Sequence, residues 1–229
     1  MPATYYKVHG GRLTVAEYWR ICSRWQGFLY AVALKPFGGF RFTFSIARPE
    51  EPNIVRLDDL PAPARDRLRG PVEGFERAGL RLAFYQRSLV LERDRLGAGA
   101  VLLGHDGEVI GMVAVAGYRG RWVTELNCTT HFTDGRACAT TTVREKFRPQ
   151  PHITAFRCRT LSPEDLCKGH RENLARLEAV GHFPTRITAA QLPRVILEAQ
   201  QRHVDFHAAR GVFVPMTEEE IDRLREAKG

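Results

Sequence analysis

The hydrophobic positions of this chain change period along its length. From residue 14 they recur at helical spacing: Val15, Tyr18, Trp19, Cys22, Trp25, Leu29 and Val32. Thr14 with Glu17 three residues on is the signature of a capping box, so the pattern predicts a helix over 14–34, stopped by Lys35-Pro36 and Gly38-Gly39. Phe40, Phe42 and Phe44 then alternate with polar neighbours as in a short strand. Four prolines in 47–63 predict an extended linker. Asp58 or Asp59 would cap the next helix, with Leu60, Ala64, Leu68, Val72 and Phe75 on one face, a kink at Gly70-Pro71 and an end at Gly79.

The middle of the chain changes to period two or to short apolar runs. Strands are expected over 80–85, 88–92, 98–104, 108–116, 121–132 and 136–142, with one more over 153–158. Asp106-Gly107 and Asp134-Gly135 fall between such runs, and Asp-Gly is the short-range signal of a hairpin. In 108–116 both alternating sets are apolar or small, so that strand should be covered on both faces. Helical periodicity returns afterwards. Ser162-Pro163-Glu164-Asp165 places a cap, a proline and acids in a first turn, and Gly181 closes the helix. Thr188 and Gln191 form a second capping box, before a stripe of Leu192, Val195, Ile196, Ala199, His203 and Phe206. A short last helix opens at Thr217.

These elements predict an α+β fold: an antiparallel β-meander of five or six strands (80–158) covered by N-terminal and C-terminal helices, the latter over 163–226. The expected organisation is an aromatic, basic helical segment over 1–46, a proline-rich linker over 47–63 and an α+β body over 64–229.

Composition narrows the class. The 229 residues are 44% hydrophobic and 26% charged, as in a folded domain rather than a disordered chain. Five cysteines are too few, and odd in number, for a disulfide scaffold. The N-terminal residues lack the pattern of a secretory signal, and free thiols suit a reducing compartment, so a cytoplasmic location is expected, with peripheral attachment to a membrane open. Net charge is +8, and the excess lies before residue 161. Arginine outnumbers lysine 29 to 5, so part of that charge reflects composition rather than a partner.

The first 44 residues hold 11 of the 22 aromatic residues and carry a net +5. Rings mixed with cations suit a membrane interface or a protein interface. The expected function is therefore a non-catalytic module docking through Tyr18, Trp19, Arg20, Arg24, Trp25 and Phe28 onto an acidic membrane surface or a partner protein. A homo-oligomer is also compatible with such a surface. Nucleic acid is disfavoured, because no recognition-helix, zinc-finger or ribonucleoprotein motif accompanies the charge.

The alternative is a small-molecule-binding or hydrolytic enzyme, or a metal-binding protein. With a two-residue loop at Asp134-Gly135, His131 would face Cys138 across a hairpin, the arrangement that activates a thiolate. His203 and His207, one helical turn apart, are the metal candidates. Two C-x-x-H pairs, Cys128/His131 and Cys167/His170, add weaker zinc candidates. The first pair would diverge across a strand. No phosphate loop, nucleophile elbow or dinucleotide fingerprint occurs, so no cofactor is expected and enzymatic activity is left open.

Overall fold

The computed structural model describes residues 5–22, 25–35, 41–47, 49–88, 95–118, 120–160 and 162–226. In chain order these form β1 (Tyr5–His9), α1 (Val15–Ile21), α2 (Trp25–Ala33), β2 (Arg41–Ala47), β3 (Asn53–Val55), α3 (Ala62–Arg77), β4 (Leu80–Arg87), β5 (Arg95–Gly104), β6 (Ile110–Tyr118), β7 (Arg121–His131), β8 (Ala137–Thr141) and β9 (Ile153–Arg157). Then follow α4 (Pro163–Glu178), α5 (Leu192–Ala209), β10 (Phe213–Pro215) and α6 (Glu218–Glu226).

Two sheets organise these elements. The larger has seven strands in the order β3-β4-β5-β6-β7-β8-β9, and the smaller has three in the order β10-β1-β2. The α+β class is as expected, but the meander of five or six antiparallel strands is not. β8 and β9 run parallel, because the chain returns through 142–152 before entering β9. Part of the proline-rich 47–63 segment also joins the sheet, where β3 pairs antiparallel with β4 at the edge. The strand expected over 88–92 falls largely outside the described residues.

The helix expected over 14–34 is divided into α1 and α2, with Cys22 already in extended backbone. Its start is as read: the Thr14 hydroxyl accepts from the Glu17 N–H, and the Glu17 carboxylate accepts from the Thr14 N–H at 2.8 Å. Ser162 caps α4 in the same manner, accepting from the Asp165 N–H. The second expected box closes a separate turn: Gln191 Oε1 accepts from Thr188 N–H and hydroxyl, and α5 begins one residue later. α3 runs on through Pro71.

One face of the large sheet packs on α3 and α4, with Leu68, Phe75, Leu126, Cys128 and Leu166 all buried. The other face meets the start of α5, where Ile187, Leu192 and Ile196 cover Val101 and Ile110. Further along, Val204 of α5 joins a different core with Val8, Leu13, Tyr18, Val212 and Phe213. Thus α5 spans two hydrophobic cores. The N-terminal segment shares its core with the C-terminal third of the chain, and β1 is hydrogen-bonded between β2 and β10.

Candidate functional site

Between its two cores α5 faces the sheet across an open cleft of about 480 Å³. The cause lies in side-chain size. β7 presents Asn127, Thr129 and His131 to this face, whereas its neighbour β8 presents only Ala137 and Ala139, directly opposite His131 and Thr129. On α5, Ala199 faces the same space. Three alanines at facing positions leave a volume that larger side chains would fill.

Three histidines from separate elements line it: His131 from β7, His152 from the turn before β9 and His203 from α5. Burial holds His131 below its ordinary value, and the Arg202 guanidinium and His152 press in the same direction. His152 and His203 are also shifted downward, chiefly by burial. All three imidazoles are therefore neutral at pH 7. The Gln150 amide N–H donates to His203 Nδ1 at 3.2 Å, so the His203 ring proton sits on Nε2. Arg87, Arg202, Glu50 and Glu51 lie at the exposed rim.

The proposed pairing of His131 with Cys138 does not occur. The register sets His131 opposite Ala137 and Thr130 opposite Cys138. The turn is longer than two residues: Phe132 N–H donates to Arg136 O, and Thr133 N–H is taken by Phe183 O instead of the facing strand. A slip of one residue exchanges faces. Cys138 is fully buried on the α3–α4 side, where burial pushes its thiol up to about 11, while His131 looks into the cleft. This thiol is not an activated nucleophile.

Of the C-x-x-H pairs, Cys128 and His131 point to opposite faces of β7, whereas Cys167 and His170 are both buried on α4. Cys128 lies on the α3–α4 face with its Sγ 3.7 Å from Cys167 Sγ. Donation to Cys167, together with burial, pushes the Cys128 thiol well above its ordinary value. His170 belongs to a closed hydrogen-bond chain. The Thr130 hydroxyl donates to Glu108 O at 2.9 Å and accepts from His170 Nε2 at 3.0 Å, while the Thr140 hydroxyl donates to His170 Nδ1 at 2.9 Å and accepts from Asn173. Every polar atom of the neutral ring is satisfied, which makes this histidine a core element.

His203 and His207 each engage another group through Nδ1, Gln150 and Arg210 respectively. The rings pack edge to face with centroids 4.6 Å apart. His207 is enclosed by Phe147, Phe206 and Phe213, and Arg210 donates to its Nδ1 at 3.1 Å. A guanidinium on that nitrogen opposes a second cation. Among the described residues no group of three His, Cys, Asp or Glu side chains is placed to hold a metal ion.

The residues expected to dock divide into two sets. Tyr18 is fully buried and is a core residue. Arg20 is half-buried and donates to Phe147 O at 2.8 Å. Arg24 lies outside the described residues. Trp19 and Trp25 remain 51% and 62% exposed. Phe28 is half-buried with its ring edge-on to Trp19 at 5.1 Å. Val15 and Leu29, one turn from Trp19 and Trp25 respectively, are also exposed. Sequence reasoning did not find the cleft, because His131, His152 and His203 are far apart in the chain and share no spacing.

No protein-family model, curated protein or solved structure matches the chain.

Proposed function

We propose that the protein docks through the exposed face of α1 and α2 onto an anionic membrane surface. The observation that supports this reading is the grouping of Val15, Trp19, Trp25 and Leu29. Each is at least half exposed, and they occupy two short consecutive helices. Among the described residues the other large exposed apolar side chains are Ile54 on β3, Val123 on β7, and Val180 and Phe183 in the segment after α4. Indole rings favour the headgroup region, where an apolar body meets lipid and the N–H meets water. The net +5 of the first 44 residues adds attraction to acidic lipid, about 1 kcal/mol for each cation close to the surface. Lys7 contributes little to it, being paired with Glu220.

Co-sedimentation with vesicles of phosphatidylcholine, with and without phosphatidylserine, tests the proposal. The expected result is binding that requires phosphatidylserine, weakens with salt and is lost in a Trp19→Ser/Trp25→Ser variant of unchanged melting temperature. Equal sedimentation of the variant would remove the proposal. Self-association abolished by the same variant would instead assign the face to a second copy of the chain.

A further inference from the structure

The cleft under α5 lies between the two cores that the helix spans, and none of the exposed residues of α1 and α2 line it. Its floor is apolar, with Met112, Ala139, Ile153 and Val204 among its lining. Its interior polar groups are uncharged: an amide at Asn127, a hydroxyl at Thr129 and imidazoles at His131 and His203. The Thr129 hydroxyl donates to Asn127 Oδ1 at 3.0 Å, so those two side chains already partner each other. His203 Nδ1 is occupied by Gln150, which leaves Nε2–H as the donor at that ring. At the rim stand Arg87 and Arg202 with Glu50 and Glu51, and Glu198 on α5 also acts on Arg202 and His131. The carboxylates at this rim repel a polyanion. Exposed Arg202 offers hydrogen-bond donors to one carboxylate at the edge, and an apolar body has the alanine-lined floor to cover.

We infer that this cleft binds a small amphipathic monocarboxylate, its apolar part on the Ala137/Ala139 floor and its carboxylate among Arg202, His131 and His203. The volume of about 480 Å³ lies within the range of sites for small organic ligands. Neutral imidazoles suit this role, since they donate hydrogen bonds to a carboxylate without the desolvation cost of further buried charge.

Titration of the full-length protein with octanoate, octanamide and pyrophosphate, followed by calorimetry and by the imidazole NMR signals, tests the site. Octanoate is expected to saturate and to shift the His131 and His203 signals. Octanamide should bind about tenfold more weakly, a difference of about 1.4 kcal/mol, and pyrophosphate should not compete. Ala139→Leu fills the floor and should abolish octanoate binding. Arg202→Gln, at an exposed position, should bring octanoate and octanamide to equal affinity, and this holds as a test even if Ala139→Leu fails to fold. The Trp19→Ser/Trp25→Ser variant should bind octanoate like the wild type, separating the cleft from the docking face. The inference is overturned by absence of a saturable shift, by undiminished octanoate binding in a folded Ala139→Leu protein, by equal wild-type affinity for octanoate and octanamide, or by competition from pyrophosphate.

Discussion

The fully buried carboxylate of Glu17 on α1 receives the guanidinium of Arg210, which follows α5, through two contacts of 2.9 Å. The same carboxylate accepts from the Thr14 and Arg148 N–H groups at 2.8 Å each. A helix cap, a long-range ion pair and a loop anchor thus share one side chain. Burial alone would raise its pKa. The hydrogen bond from Arg210 and those from the Thr14 and Arg148 backbone outweigh that effect and hold it at about 2. Removing one partner strands a buried charge, so Glu17→Ala and Arg210→Ala should each destabilise the fold by about 3–5 kcal/mol. Chemical denaturation measures this. The double variant should lose less than the sum of the two, because each single change removes the same pair.

Acid should act in two stages. His170 and His207 are both pushed down to about 4 from 6.5, in each case mainly by burial. In that interval the unfolded chain binds protons that the folded chain refuses, so stability falls as pH drops from about 6.5 to about 4, by up to about 1.4 kcal/mol per pH unit for each histidine. Glu17 has the opposite charge type but the same consequence at lower pH. Its contribution is complete above the ordinary carboxylate value and is lost as pH falls through about 2. Urea midpoints measured across pH should show the first decline, and His170→Gln should flatten it.

Thiol chemistry should follow burial. Cys128, Cys138 and Cys167 are buried, whereas Cys22 and Cys158 are half-exposed. Burial raises the Cys22 thiol as well, so its reaction should be slow at neutral pH and accelerate above pH 8. Native protein treated with iodoacetamide should be labelled at Cys22 and Cys158, and all five cysteines should react only in denaturant. Rapid native labelling of Cys138 would contradict its enclosed position.

Gly107 is a position where no other residue fits. Its φ is +76°, and a Cβ there would lie 2.7 Å from Ile187 O. Its own carbonyl accepts from the Ile187 N–H at 2.8 Å. Gly107→Ala must strain the backbone and push back the segment leading into α5. A loss of about 2–3 kcal/mol is expected, readable as a lowered melting temperature. Gly120, with φ +75° and open space around it, should lose less on the same change.

Local chemistry was legible in the sequence where a few neighbouring residues decide the outcome. Thr14/Glu17 and Ser162/Asp165 form the caps that their spacing implied, and the Asp106-Gly107 turn is where the dipeptide placed it. Legibility ended where distant backbone competes. The hairpin register at Asp134-Gly135 depends on Phe183 O capturing the Thr133 N–H, and residue 183 lies some fifty positions away in the chain. That competition reversed the face of Cys138 and dissolved the thiol–imidazole pair. The parallel placement of β9 has no local signature, and β3 is too short to stand out from its prolines. Within the aromatic stripe of α1, Tyr18 and Trp19 looked equivalent. Only the tertiary fold decides that Tyr18 is enclosed with Val8, Leu13 and Phe213 while Trp19 faces outward.

The return of the chain from β8 to β9 ties distant places together. Residues 142–152 must travel back alongside the sheet to start a parallel strand, and on the way they are fastened twice to α1, by Arg20 on Phe147 O and by Glu17 on the Arg148 N–H. The same strap carries Gln150, which holds His203, and ends at His152. A displacement of α1 would pull on a tether whose far end is the wall of the cleft. The strap thus gives α1 and the cleft wall a common support, and loss of its anchors at Arg20 or Glu17 would loosen both.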